Sequence, residues 1–197
     1  MQVKDKFLGK TNLLILIVSL CFSQNIYSEN IYKKISKYNS ALKNSVANFI
    51  QTNDNYVQEG IIYFGNERIK ISYTKPQKIT VILSDKKGIY TNHELKESQF
   101  FATKNSYIKF FFDVFYNKKY LEKLAFTDSD HKIEISENVK LDNVLYKIKL
   151  IYENEPIYLR RLEITNNDEI TQMGFFNHSQ KQSFEKNFFS MIDPYLN

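Results

Sequence analysis

From Tyr56 onward the apolar residues recur with a period of two, and short polar turns separate the first runs. Parallel strands need crossovers of a dozen or more residues, so connections this short dictate an antiparallel meander. The first candidate strands are Tyr56–Phe64, Arg68–Tyr73, Lys78–Ser84, Gly88–Thr91 and Ser98–Thr103, with turns at Gly65-Asn66-Glu67, Thr74-Lys75-Pro76-Gln77 and Asp85-Lys86-Lys87. The alternation is cleanest in Arg68-Ile69-Lys70-Ile71-Ser72-Tyr73. There Ile69, Ile71 and Tyr73 share one face, and Arg68, Lys70 and Ser72 the other. One face is expected to be wet and the other buried, and the buried face needs a cover.

Two stretches break the period of two. Ile31, Ile35, Tyr38, Leu42, Val46 and Phe49 recur at steps of three and four, which reads as one long amphipathic helix with Asn30 as its N-cap. In Tyr107-Ile108-Lys109-Phe110-Phe111-Phe112-Asp113-Val114-Phe115, the residues Ile108, Phe111, Phe112 and Phe115 fall on one helical face, and Leu121 and Leu124 continue into a second short helix. Strands then resume at Lys132–Ser136, Val144–Tyr152, Ile157–Thr165 and Glu169–Phe176, before an aromatic tail, Phe184–Leu196. The order is helix, about five strands, helical insert, about four strands, tail. It predicts a mainly β protein with some α, in which a curved antiparallel sheet carries helices against its concave face.

The composition agrees with one packed domain. The chain has 197 residues and is 43% apolar, so it can bury a core and is not globally disordered. Phe and Tyr number 16 and 14, with no Trp, and these rings need a home. The net charge is +5, but Lys4, Lys6 and Lys10 against Asp5 place part of it ahead of the apolar run Leu13–Phe22. A basic segment followed by a short apolar one reads as a secretory signal peptide, too short to span a bilayer. Residues 1–23 are therefore expected to be a signal cut after Ser23, or as late as Ser28, leaving 24–197 as a single secreted domain. Cys21 follows Leu20 rather than a small residue, so it is read as discarded with the signal. The remaining Lys and Arg pairs are isolated, which argues against a nucleic-acid surface.

No reactive constellation stands out. His93, His131 and His178 each lie in or beside a predicted turn, outside any nucleophile motif. Asp128-Ser129-Asp130-His131 reads as a polar hairpin loop rather than a ligand set. No Gly-rich phosphate loop is present. The expectation is a non-enzyme without metal or cofactor.

Several blocks resemble the LolA-type periplasmic lipoprotein carriers. They are Val57-Gln58-Glu59-Gly60 with the strand Ile61–Phe64, then Arg68-Ile69-Lys70-Ile71-Ser72-Tyr73-Thr74-Lys75-Pro76, then Val81–Tyr90. Farther on, Leu162-Glu163-Ile164-Thr165, Ile170–Phe176 with Asn177, and the Phe-rich tail with Pro194 are also similar. The sequence departs from the family at three places. Gly65-Asn66-Glu67 replaces a Lys-Arg-Pro-Gly type turn whose arginine favours one-way transfer, with Arg68 only its neighbour. Ile69 and Ile71 replace an aromatic pair, and Lys86 stands where the next turn has glycine.

The resemblance implies an unclosed β-barrel covered by helices, whose interior holds the acyl chains of lipoproteins. It implies a monomeric carrier that collects cargo from an inner-membrane ABC transporter and passes it to an outer-membrane receptor. Ile69, Ile71, Tyr73, Val81 and Leu83 would line the lipid-binding cavity, and Ile108, Phe111, Phe112 and Phe115 would form its lid. The alternatives are an outer-membrane-anchored receptor of the same fold with Cys21 lipidated, a periplasmic binder of another lipid, and a secreted hydrolase on a β scaffold.

Overall fold

A computed structural model describes residues 31–53, 56–104, 106–129, 131–141, 143–167 and 169–196. The expected signal segment, Cys21, Ser23, Ser28 and the cap Asn30 lie outside the described residues.

The chain enters through helix α1, residues 31–41. Six strands follow: β1 (Ser45–Thr52), β2 (Val57–Phe64), β3 (Ile69–Lys75), β4 (Ile79–Leu83), β5 (Lys87–Asn92) and β6 (Glu97–Ala102). Helices α2 (Tyr107–Tyr116) and α3 (Lys118–Leu121) lead to five more: β7 (Phe126–Ser129), β8 (Lys132–Leu141), β9 (Val144–Glu153), β10 (Tyr158–Asn166) and β11 (Glu169–Ser179). Among the described residues all eleven strands form one antiparallel sheet in the order β6-β5-β4-β3-β2-β1-β11-β10-β9-β8-β7. The first and last strands in that order, β6 and β7, do not pair. The barrel is unclosed, and α2 and α3 carry the chain across the gap between its two edges. Among the described residues no helix is long and apolar enough to cross a membrane.

The long N-terminal helix expected from the sequence is cut in two. Ile31, Ile35, Tyr38 and Leu42 are buried on α1 and its exit, but Val46 and Phe49 belong to β1. Asn44 takes a φ of 60°, and Ser45 donates its hydroxyl to the Leu42 carbonyl at 2.6 Å, so the backbone leaves the helix there. In β1 the buried set is Ser45, Ala47 and Phe49, a period of two. The strand pairs with both β2 and β11 and joins the two halves of the sheet. The sequence reading also omitted β7 and stopped β8 at Ser136, five residues before its end at Leu141. Leu121 ends α3, and Leu124 is buried just beyond it.

Helix α1 fills the concave face of β8–β10. The Tyr38 ring meets Tyr152 and Tyr158 edge-on at 5.8 and 6.4 Å, and its oxygen accepts the Leu159 backbone N–H at 3.0 Å. Around it Ile133, Ile135, Ile148 and Leu150 are fully buried. The convex side of this half carries a salt-bridge network in which Lys149 meets Glu134 at 3.5 Å and Glu163 at 3.8 Å.

The other convex face is wet only in part: Arg68 is exposed as the alternation implied, while Lys70 and Ser72 are half-buried. The C-terminal tail crosses it as a strap without regular secondary structure. Arg68 donates to the Phe189 carbonyl at 2.6 Å, and the Lys70 ammonium sits 3.9 Å from the Phe188 ring centre. Tyr63 packs edge-on against Phe184 and Phe188. Burial under this strap lowers the Lys70 pKa. The strap ends with the Tyr195 hydroxyl 2.9 Å from one nitrogen of His93, whose other nitrogen lies 2.8 Å from the Thr80 hydroxyl.

Candidate functional site

The concave face of β2–β5 is covered by α2 but not filled by it. Between them lies a cavity of about 480 Å³, within the roughly 300–1,000 Å³ of small-molecule sites. Strand register arranges its wall in tiers. Phe64, Ile69 and Leu83 are cross-strand neighbours at one end, Ile62, Ile71 and Val81 in the middle, and Tyr73 at the other end beside Ile79. The opposite wall comes from β9–β11. Leu150, Leu162 and Met173 lie at one level, and Ile164 and Thr171 one step nearer the Tyr73 end.

Helix α2 closes the cavity with Tyr107, Ile108, Phe111, Phe112 and Phe115, spaced as one face of a helix. Its other buried residues turn elsewhere. Phe110 meets Tyr120 of α3 edge-on at 6.3 Å, and the Val114 carbonyl accepts from the buried Asn39 amide at 2.8 Å. Helix α2 is apolar over most of its surface because it buries two faces at once. Its C-terminal end is pinned by the Tyr116 hydroxyl, which lies 3.3 and 3.2 Å from the Gly65 and Arg68 carbonyls. Burial drives the Tyr116 hydroxyl well above its ordinary pKa. At the start of α2, Ser106 stands at the N-cap and gives its hydroxyl to the Thr103 carbonyl at 2.7 Å rather than to the helix.

All nine sequence-expected residues, Ile69, Ile71, Tyr73, Val81 and Leu83 from the sheet with Ile108, Phe111, Phe112 and Phe115 from α2, line this one cavity. Sequence reasoning missed the far wall, formed by Leu150, Leu159, Leu162, Ile164, Met173 and Phe175. The signal was present, since Leu162/Ile164 and Met173/Phe175 alternate as Ile69/Ile71 do. It also missed Gln51, hidden by extending the helical stripe through β1. Gln51 accepts the Tyr73 hydroxyl at 3.0 Å and donates its amide to Gln58 at 3.2 Å.

Among the described residues no Asp, Glu, Lys, Arg or His lines the cavity. Burial pushes the Tyr73 hydroxyl up to about 12, with Tyr107, Tyr56 and Tyr90 adding to it. The three histidines lie apart: His93 under the strap, His131 at the β7–β8 turn and His178 on β11. Asp128 and Ser129 close β7 in that same hairpin. Among the described residues no group of three or more His, Cys, Asp or Glu side chains is placed to hold a metal ion.

No protein-family model matches the chain, and no curated protein does. Solved structures match it in shape. It is similar to an uncharacterized conserved protein from Thermus thermophilus, with a TM-score of 0.56 over 85% of this chain and 96% of that one, at 6% identity. What the two share is the fold. A chain of the Pseudomonas aeruginosa MucA/MucB complex aligns at a TM-score of 0.46 and 10% identity, over 82% of this chain and 60% of that one. The lipoprotein LppX from Mycobacterium tuberculosis aligns at 0.39 and 9% identity, over 79% and 96% of the two chains. Likenesses as distant as these last two carry no argument about this chain.

Proposed function

We propose that this protein is a periplasmic carrier that holds the acyl chains of lipoproteins in the cavity beneath α2 and performs no catalysis. One observation carries the reading: an uncharged, largely apolar cavity lies where the LolA-like sequence blocks place their concave face. Each buried methylene contributes about 0.8 kcal/mol, so an acyl chain that buries about ten of them gains about 8 kcal/mol over water. Such a chain needs an escort across an aqueous compartment. Delivery needs that affinity reduced, and the rings of α2 do this by competing with cargo for the same wall. In this reading an inner-membrane ABC transporter supplies the cargo and an outer-membrane receptor accepts it.

A second reading, a periplasmic binder of another lipid, is favoured by one observation. Arg68, the nearest candidate for the family's turn arginine, binds the Phe189 carbonyl on the convex side. No arginine of that turn faces the cavity.

Mass spectrometry of ligands that co-purify with the native protein separates the two readings. Purified mature protein is then offered acylated lipoprotein released from membranes. Uptake into a soluble complex is expected, and failure of uptake while another lipid co-purifies selects the second reading. Intact mass of the native N-terminus completes the test, because a lipid-modified Cys21 would make the protein an anchored receptor.

A further inference from the structure

The cavity is not uniform from end to end. Its Phe64–Ile69–Leu83 end is closed by Phe115, which meets Phe64 edge-on at 5.5 Å, and is largely apolar: the polar side chain there, Ser106, spends its hydroxyl on the Thr103 carbonyl at 2.7 Å. Its other end carries Gln51, Tyr73, Tyr107 and Thr171, which are polar but uncharged. These groups retain hydrogen-bonding capacity toward a ligand. Gln51 uses one amide proton on Gln58, and the Tyr73 hydroxyl, which donates to Gln51, keeps its lone pairs. The Thr171 and Tyr107 hydroxyls make no hydrogen bond among the described residues. Tyr107 instead lies against the Tyr146 ring at 5.9 Å.

We infer that the cargo enters hydrocarbon first, and that its polar end at the Gln51–Tyr73–Thr171 rim is an uncharged ester or amide linkage rather than a free carboxylate. This rests on the reading of the cavity as an acyl-chain site. A carboxylate brought to this rim would lose water without gaining a cation, which is strongly unfavourable. An ammonium would find no carboxylate there. An ester or amide carbonyl needs only one or two donors, and the rim supplies them from Gln51, Thr171 and Tyr107. The raised Tyr73 pKa agrees, since it marks surroundings hostile to an anion.

The test is calorimetric titration of delipidated protein with 1-monolauroylglycerol and with laurate, at about pH 8, where the acid is ionised. The two share one hydrocarbon chain and differ at the linkage. The ester is expected to bind at least about tenfold tighter, and Gln51→Leu is expected to shrink that ratio to about threefold or less. Thr171→Val, which removes no hydrogen bond within the protein, is the second variant and should weaken the ester alone. Equal or tighter binding of laurate, unaffected by either variant, overturns the inference and leaves the acyl-chain reading standing. Binding of neither ligand overturns the acyl-chain reading and this inference with it.

Discussion

At the scale of single residues, the structure separates core from cavity wall, although both are written in the same apolar letters. Ile135 is enclosed on every side by the α1-filled half, whereas Ile71 is half-buried and faces the cavity. Truncating Ile135 to alanine removes packed neighbours and leaves a new void, so urea unfolding should show a loss of about 2–5 kcal/mol. Ile71→Ala only widens a space already there, and about 1 kcal/mol is expected. Equal losses would make Ile71 ordinary core. His178 gives a second test. It stacks on Tyr158 at 5.1 Å, and burial first, then the Arg160 charge, lower its pKa. The unfolded chain therefore takes up the proton more readily than the folded one. That contribution is complete above about pH 6.5 and fades as pH falls toward the folded value. The drop in urea midpoint from about pH 7 to about pH 5 should be smaller in His178→Gln than in the parent.

At the scale of elements, the strap and α2 are held in different ways. A Cβ added at Gly65 would lie 2.7 Å from the Phe189 ring, so Gly65 is where the strap needs a missing side chain. Gly65→Ala should displace that ring and lower stability by about 1–3 kcal/mol. Acyl-ligand affinity should hold, because the strap lies on the opposite face from the cavity; calorimetry alongside urea unfolding checks both. Helix α2 instead rests on its own packing, the Asn39 bond and the Tyr116 anchor. Its amides should exchange with deuterium faster than those of β2–β4, and a bound acyl ligand should slow them. Asn39→Ala should speed α2 exchange further. If α2 proves as protected as the central strands, the helix does not act as a lid.

At the scale of the whole molecule, what was legible in the sequence followed the clarity of its periods. The β2–β5 meander was readable because Ile69, Ile71 and Tyr73 alternate and the turns are short. β1 was not, because Val46 and Phe49 happen to continue the four-and-three steps of α1. Only the left-handed Asn44 and the strand partners on both sides decide otherwise. The strap was invisible for another reason: Lys70 and Arg68 look like solvated charge until a distant segment lays carbonyls and rings against them. The near wall of the cavity was legible, and the far wall waited on the pairing of β1 with β11. That pairing makes one continuous sheet, and its ends, β6 and β7, never meet. A closed barrel has its girth fixed by strand number and stagger. Here no strand pairing closes the circuit: α2 and α3 complete it through side-chain packing and the Asn39 and Tyr116 hydrogen bonds, so widening it breaks no ladder hydrogen bond. The body has the mechanics of a spring clip. On the carrier reading proposed above, a bore of this kind would adjust to a thicker load, and selection would fall to chemistry at the rim rather than to calibre.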